Sequence, residues 1–345
     1  MRIFRKLAVS SSIAVGLPIL LGGIVRATGS GDACPDWPKC FGRWLPPANY
    51  HAILEYSHRL AAAIAGIFLL GLALALLANA QARTRPSLTV PAGVAFALLI
   101  FQSYLGKLVV ERALSPALVT VHLGTALLLQ ATVTVAAVNA FYVPEIFFSA
   151  ASTPSHGTED DIGLAQHAAQ RASNGRSDKR NPIRPTRRYP AGLAILAAAS
   201  VFAVILVGAY MRAEGAQLAF SDWPLMAGRI FPSLDTEARR IHFAHRIAAL
   251  AAAVPVVWLA VRTTSLRPRI GKMVAFAHLA AGAYILQSLA GAAIVLTDLS
   301  QWSRAVHVAL ASLAFVSSIA TAAISVNEAR IVPLEESSDA QVQSA

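Results

Sequence analysis

The chain has 345 residues, 56% of them hydrophobic and 14% charged, with 29 Lys and Arg against 18 Asp and Glu for a formal net charge of +11. Soluble globular domains carry about 25% charged residues, so this composition excludes a water-soluble protein and a disordered one alike. The apolar residues gather in runs of about 20, the length at which a helix crosses a bilayer.

In chain order, eight transmembrane helices are predicted over 7–26, 53–79, 89–111, 117–141, 191–211, 241–262, 272–296 and 303–326. The fold class is an all-α integral membrane protein. The first run also has the basic start and small following residues of a signal peptide, but its counterpart in helix 5 favours retention as helix 1. A polar stretch over 143–190 carries the acidic run Glu159-Asp160-Asp161 and a basic end with Arg184, Arg187 and Arg188. It reads as a solvated, flexible linker. The expected organisation is an N-terminal four-helix half at 1–142, this linker, a C-terminal four-helix half at 191–327 and a tail at 328–345.

Basic residues cluster in alternate loops: Arg2, Arg5 and Lys6, then Arg83 and Arg85, then seven in the linker, then Arg262, Arg267, Arg269 and Lys272. The positive-inside rule makes these loops and both termini cytoplasmic. The loops at 27–52 and 213–240, close to charge balance, then face outward. The net charge reports topology in a lipid bilayer, and nucleic acid is not an expected partner.

The two halves repeat one another. Gly22, Arg26, Gly29 and Asp36-Trp37-Pro38 match Gly208, Arg212, Gly215 and Asp222-Trp223-Pro224 at an offset of 186. His58-Arg59 matches His245-Arg246 at 187, and Gln102-Ser103, Gly106 and His122 match Gln287-Ser288, Gly291 and His307 at 185. Four spans repeated after four keep one orientation, so a pseudo-two-fold axis along the membrane normal is expected.

His58 and His122 each lie about five residues into a helix that starts on the outer side, roughly 8 Å below its start at the α-helical rise. His245 and His307 repeat this. Zinc takes four protein ligands, or three and a water, and neither half offers further cysteines or a carboxylate set. Two axial histidines per bundle suit haem iron. The competing reading is of hydrogen-bonded core histidines; pairing at one depth in both halves favours haem. His51, His156, His167 and His278 lack this pairing and are not expected to be ligands.

Arg59 and Arg246 follow two of these histidines, and Arg26 and Arg212 sit at the same face. An arginine there either snorkels to lipid headgroups or meets an anion such as a haem propionate. Glu55 shares a helix face with His58, whereas His242 holds the matching place before His245. A carboxylate so placed either takes up protons and stabilises developing positive charge or pairs with Arg59. Cys34 and Cys40 lie in the outer, oxidising loop, which favours a disulfide. The loop is short, so the pair is either a structural clasp or a labile, exposed redox couple. Phe220 and Met226 replace the cysteines in the second half.

Thr28-Gly29-Ser30-Gly31, Cys34-Pro35-Asp36-Trp37-Pro38-Lys39-Cys40, Glu55-Tyr56-Ser57-His58-Arg59, Val121-His122-Leu123-Gly124 and His245-Arg246 together resemble the haem A synthase family. The resemblance spans nearly the whole chain. It implies oxidation of the C8 methyl group of haem O to a formyl group through a hydroxymethyl intermediate, giving haem A. It further implies haem B as cofactor on His245 and His307, the substrate haem near His58 and His122, and Glu55 as the catalytic carboxylate. Gly66, Gly71, Gly106 and Gly124 either admit the farnesyl tail of the substrate or simply let helices pack closely. Implied partners are a haem O synthase (protohaem farnesyltransferase), an electron donor that the sequence does not identify, the cytochrome oxidase assembly machinery, and optionally further copies of the chain. The implied location is the cell inner membrane, with the haem sites toward the extracytoplasmic face. Some family members carry a second cysteine pair, which is absent here. The main alternative is an electron-transfer cytochrome with two bis-histidine haem B groups, against which Glu55 and the cysteines, confined to one half, both argue. A transporter is the weaker rival.

Overall fold

The computed structural model describes residues 1–142, 189–266, 270–297 and 300–342, with side chains placed as far as Ala329. Nearly all of the expected linker, with His156 and His167, lies outside the described residues. The helices are α1 (Arg2–Ala27), α2 (Tyr50–Ala78), the short α3 (Ala80–Arg83), α4 (Pro86–Glu111), α5 (Pro116–Phe141), α6 (Ala191–Ala213), α7 (Glu237–Thr264), α8 (Gly271–Leu296) and α9 (Gln301–Val342). Eight of them, all but α3, are long and apolar enough to cross a membrane. The chain is a multi-pass membrane protein.

Local chemistry sets where these helices begin. Asn49, in an extended conformation, accepts from the backbone N–H groups of His51 and Ala52 and starts α2; Thr236 does the same for α7 through Arg239 N. Such caps satisfy donors that the first helical turn leaves orphaned. Pro86 and Pro116 open α4 and α5, where the missing N–H costs nothing.

The spans match the expected ones within a few residues, with three differences. First, α1 starts at Arg2 rather than at residue 7, because Phe4 is buried and Arg5 Nε donates to the carbonyl of Ala140 at 2.9 Å. Hydropathy marks where the apolar stretch begins, but the helix continues through charged residues that find acceptors. Second, Asn79 ends α2 and, through its side chain, caps the extra helix α3. Third, α9 runs to Val342, past the point at 328 where a tail was expected.

In the first half α1 packs on α2, α2 on α4, α4 on α5 and α5 back on α1. In the second, α6, α7, α8 and α9 close a ring in the same order. The two rings meet where α1 and α5 touch α6 and α9. The core is rich in small residues, among them Ala14, Ala194, Ala197, Ala252, Ala277 and Ala314, which let helix backbones approach where lipid provides no hydrophobic drive. Polar groups tie the seams: Gln130 Nε2 donates to the carbonyl and hydroxyl of Ser12, both at 3.0 Å, and Asn327 Nδ2 donates to Asn139 Oδ1 at 2.7 Å. Large apolar residues face outward. Leu60, Ile64, Ile67, Leu70, Leu74 and Leu77 form one stripe along α2, each between 42% and 69% exposed, which suits acyl chains and no aqueous surface.

The tightest approach across the central seam is at Gly23, where an added Cβ would stand 2.6 Å from Val308 Cγ1. Gly23→Ala is expected to lower the thermal stability of the purified protein by about 1–3 kcal/mol through overpacking. Gly282→Ala, whose Cβ would meet nothing within 4 Å, is expected to leave it unchanged or slightly raised. Paired melting curves in one detergent check both.

Candidate functional site

The loops at 27–49 and 214–236 are built alike. Cys40 pairs with Arg43, and Met226 with Arg229, as single antiparallel bridges. Each bridge closes a turn whose two central residues have positive φ: Phe41 (54°) and Gly42 (72°), then Ala227 (55°) and Gly228 (71°). That conformation is unfavourable for Phe and Ala, and a carboxylate offsets it. Asp36 accepts from Phe41 N at 2.5 Å and Gly42 N at 2.8 Å, and Asp222 from Ala227 N at 2.7 Å and Gly228 N at 2.8 Å. The repeated Asp-Trp-Pro motif is therefore a turn-capping device. Trp37-Pro38 and Trp223-Pro224 are both cis.

Each loop is fastened to the helix that follows it. Arg59 donates from Nη1 to the carbonyls of Asp36 (2.6 Å) and Lys39 (2.8 Å), and from Nη2 to that of Cys34 (3.1 Å). Arg246 likewise donates to the carbonyls of Asp222 (2.9 Å) and Leu225 (2.8 Å). Glu55, 3% exposed, completes the first clasp: Oε2 accepts from Cys34 N at 2.8 Å and Oε1 pairs with Arg59 Nη2 at 2.5 Å. In the second clasp His242 Nε2 accepts from Arg246 Nε at 3.1 Å, and Phe220 N lies 3.4 Å from Nδ1. A neutral imidazole accepts at one nitrogen only, and the shorter contact is the hydrogen bond. The Glu55–Arg59 pair anticipated from sequence is thus present, and Arg59 and Arg246 are engaged by loop carbonyls.

Cys34 and Cys40 are joined as a disulfide, and both are fully buried, beneath Ala33, Ala52 and Tyr56. The exposure expected of a labile couple is not found, because the Arg59 clasp folds the loop down over the sulfurs.

Below the loops, each of the four paired histidines rests against a glycine of the neighbouring helix. An added Cβ at Gly22 would stand 3.0 Å from the His58 ring, at Gly106 3.3 Å from His122, at Gly208 2.7 Å from His245, and at Gly291 3.0 Å from His307. His58 Nδ1 donates to the carbonyl of Pro18 at 2.9 Å, and His307 Nδ1 to that of Gln287 at 2.7 Å. A carbonyl only accepts, so these rings carry their proton on Nδ1 and keep a lone pair on Nε2, the arrangement of metal-bound histidines. His245 Nδ1 is buried without a hydrogen-bond partner. His58 and His122 lie within electrostatic range of one another, as do His245 and His307. Among the described residues no group of three or more His, Cys, Asp or Glu is placed to hold a metal ion by itself. The donor set, two imidazoles per ring of helices, fits a metal whose remaining ligands arrive with it, as in haem. His51 bonds Ser30 and His278 bonds Val274 O, away from the pairs.

Arg26 and Arg212 interact electrostatically with one another and with Asp32 and Arg304 respectively. Arg304, one turn before His307 in α9, has a buried Nε with no partner. Sequence reasoning passed over Arg304 because it has no counterpart in the first half. Its signal was a lone arginine opening an apolar run. The supporting glycines Gly22, Gly208 and Gly291 were visible as repeat matches, but their contact with imidazole was not. Of the glycines considered for a farnesyl slot, Gly106 lies under His122, while Gly66, Gly71 and Gly124 face Leu99, Leu7 and Leu206; the last three serve helix packing.

The sequence profile of the cytochrome oxidase assembly protein family, COX15-CtaA, matches residues 5–319. A protein named haem A synthase from Symbiobacterium thermophilum is 31% identical over 273 residues, covering 76% of this chain and 78% of its own. The chain belongs to the haem A synthase family. Further family members similar to it are the haem A synthases of Shouchella clausii, 29% identical over 314 residues (90% of this chain, 93% of that one), and Geobacillus kaustophilus, 28% over 328 residues (92% and 88%).

In this family member the first loop is expected to respond to acid in a defined sense. The N–H groups of Gly42 and Phe41 hold the Asp36 carboxyl below its ordinary range. A depressed folded-state value stabilises fully above the unfolded value and fades as pH falls through the folded one. The Asp36 turn should therefore hold from neutral pH to about 4 and loosen only below it, read from amide hydrogen exchange at Phe41 and Gly42. Asp36→Asn is expected to show the loosened signal across the whole range.

Proposed function

We propose that the chain is a haem A synthase, oxidising the C8 methyl group of haem O to a formyl group through a hydroxymethyl stage. The observation that carries this reading is the set of four imidazoles seated on glycines, two of them with Nδ1–H tied to carbonyls. His245 and His307 would hold haem B as the resident cofactor, and His58 and His122 the substrate macrocycle. The redox chemistry is supplied by the haem iron; the protein's part is to hold, orient and stabilise charge.

Glu55 is the residue that separates the halves. His242 fastens the second loop without a negative charge, so the clasp does not require a carboxylate. What Glu55 adds is a buried charge three residues from His58, on the same helix face. Such a group can move a proton or stabilise developing positive charge at the edge of a bound macrocycle. Arg59, hydrogen-bonded to Glu55, keeps it oriented. The expected partners are a haem O synthase as supplier, an electron donor, and the oxidase assembly machinery, with the site toward the outer face of the cell membrane. A homo-oligomer is also compatible with this reading.

Co-expression with a haem O synthase, followed by extraction and mass identification of the bound haems, tests the assignment. Haem B together with haem A or its hydroxylated precursor is the expected result. Glu55→Gln should keep haem B and lower the oxidised product by at least about 100-fold. Two haem B per chain without oxidised product would make the chain an electron-transfer cytochrome.

The cradles can be tested separately. In Gly208→Leu a side chain fills the space of the His245 ring, already 2.7 Å from an added Cβ. This variant is expected to lose the C-terminal haem while retaining the N-terminal one. The bound-haem count per chain, from pyridine haemochrome absorbance, checks it.

A further inference from the structure

At the offsets that align the helices of the two halves, Gly16 on α1 matches Phe202 on α6, and Gln130 on α5 matches Phe315 on α9. The halves fill this one place with opposite chemistry. In the second half the Phe202 and Phe315 rings pack together, centroids 6.0 Å apart, in an apolar core shared with Ile319. In the first half the place of the two rings is taken by an amide over a glycine. Gln130 is 2% exposed, and its Oε1 stands 3.7 Å from where a Cβ on Gly16 would lie. Around it are Ser12 and Thr134, whose matches in the second half are Ala198 and Ile319.

The hydrogen bonds of this cluster leave one acceptor over. Gln130 Nε2 donates to the Ser12 carbonyl at 3.0 Å. A carbonyl only accepts, so the nitrogen must be the end that faces it. The second amide hydrogen serves the Ser12 and Thr134 hydroxyl oxygens, at 3.0 and 3.2 Å. The Thr134 hydroxyl donates to the backbone carbonyl of Gln130 at 2.8 Å, and the Ser12 hydroxyl to Thr134 Oγ1 at 3.1 Å. Every hydrogen of the cluster is used, and among the described residues Gln130 Oε1 has no donor. A buried acceptor left so costs free energy that a ligand hydroxyl would recover.

The oxygen lies beside the interior of the first ring of helices. Ser11 Oγ donates to the Phe68 carbonyl of α2 at 3.1 Å, while Ser12 reaches α5. The face of α1 between them, which carries Val15, Ile19 and Gly22, is therefore turned into the ring, and Gln130 borders it. Gly16 precedes Gly22, the seat of His58, by six residues, about 9 Å along the helix.

We propose that Gln130 Oε1 accepts the side-chain hydroxyl of haem O, which makes Gln130 the residue that selects this macrocycle for the first half. The inference rests on the haem reading given under Proposed function and deepens it. Haem B carries a vinyl group where haem O carries a hydroxyl-bearing farnesyl chain. A macrocycle held by His58 and His122 with its propionates at the arginines near the loops would turn its opposite edge, where this substituent sits, toward the level of Gln130. There the hydroxyl meets the one acceptor in need of a donor. A site built to hydrogen-bond a ligand hydroxyl disfavours the analogue that lacks it. In the second half the two phenyl rings suit a vinyl group and would strand a hydroxyl without a partner.

The experiment compares two ligands in one site. Protein holding one haem B per chain is titrated with haem O and with its deoxy analogue, in which hydrogen replaces the side-chain hydroxyl. The absorbance change that His58→Ala abolishes reports the first half. Wild type is expected to bind haem O roughly two- to tenfold more tightly than the analogue, the equivalent of one hydrogen bond. Gln130→Leu should bind the two equally. Damage to the fold weakens both ligands together and leaves their ratio in place, so the ratio isolates the hydroxyl contact. Equal affinities in wild type, a result that needs no variant, overturn the inference while the haem reading stands. So does a Gln130→Leu protein that keeps the wild-type preference. A wild-type protein that takes up neither macrocycle overturns both.

Discussion

The contact between imidazole and glycine is the constraint on which the rest of the structure depends. A histidine on a membrane helix must be enclosed by protein, since lipid offers its ring nitrogens no partner. Enclosure between two helices ordinarily leaves no space for the ring. Glycine on the facing helix provides that space and also exposes the facing backbone. The His58 ring lies against Gly22 and bonds the carbonyl of Pro18, one turn earlier on α1. His307 lies against Gly291 and bonds the carbonyl of Gln287. The same few atoms therefore position the ring, satisfy Nδ1 and determine which nitrogen remains for a metal. The ring of helices in each half follows, because each pair must approach closely at the level of its histidine.

The two loops that carry the Asp-Trp-Pro motifs are fastened to this frame by a second repeated device. An arginine directly after the first histidine of each pair gathers the carbonyls of the loop before it, and an aspartate caps the turn at the tip of that loop. Each guanidinium meets several carbonyl dipoles, which makes partial burial of its charge tolerable. The two halves differ where the arginine needs a neighbour on its own helix. His242 fills that place with a neutral ring, and Glu55 fills it with a charge that also reaches Cys34 N. Because one fold holds both versions, the carboxylate is not demanded by architecture. The disulfide lies in the same half, covered by the loop that Glu55 and Arg59 hold down. Acid, ion pair and disulfide are thus one mechanical unit, and opening the sulfurs to solvent would also remove a hydrogen-bond donor from Glu55.

Much of this was legible in the sequence. Eight apolar runs are read directly from hydropathy, and offsets of 185 to 187 align the histidines, the arginines and the Asp-Trp-Pro motifs. What the sequence did not disclose depends on direction. Spacing places Glu55 and His58 on one face, but it does not say that the carboxylate turns toward a loop amide. It places Arg59 beside Arg26 in depth, but not that Arg59 is occupied by carbonyls. The setting of Gln130 was hidden most completely, since the offset pairs it with Phe315 but does not say which end of its amide faces Ser12. The start of α1 was missed for a simpler reason: Arg5 finds the Ala140 carbonyl, and hydropathy cannot register a charge with an acceptor.

The arginines at the level of the two loops divide by environment. Arg59 and Arg246 are neutralised in effect by carbonyl dipoles and by their helix neighbours. Arg26, Arg212 and Arg304 form the other set, gathered where α1 and α6 end and α9 begins. Their mutual repulsion is strengthened by partial burial, since the effective dielectric falls as water is excluded. Among the described residues, Asp32, near Arg26, is an acid that interacts with this set. Under the proposed function the carboxylates of a bound macrocycle would add negative charge here. Arg26 and Arg212 stand about one turn beyond the glycines that seat His58 and His245, and Arg304 about one turn before His307. Placed so, they would meet the edge of a ligand held at the depth of the imidazoles, and its carboxylates would offset the positive charge gathered at the seam between the halves.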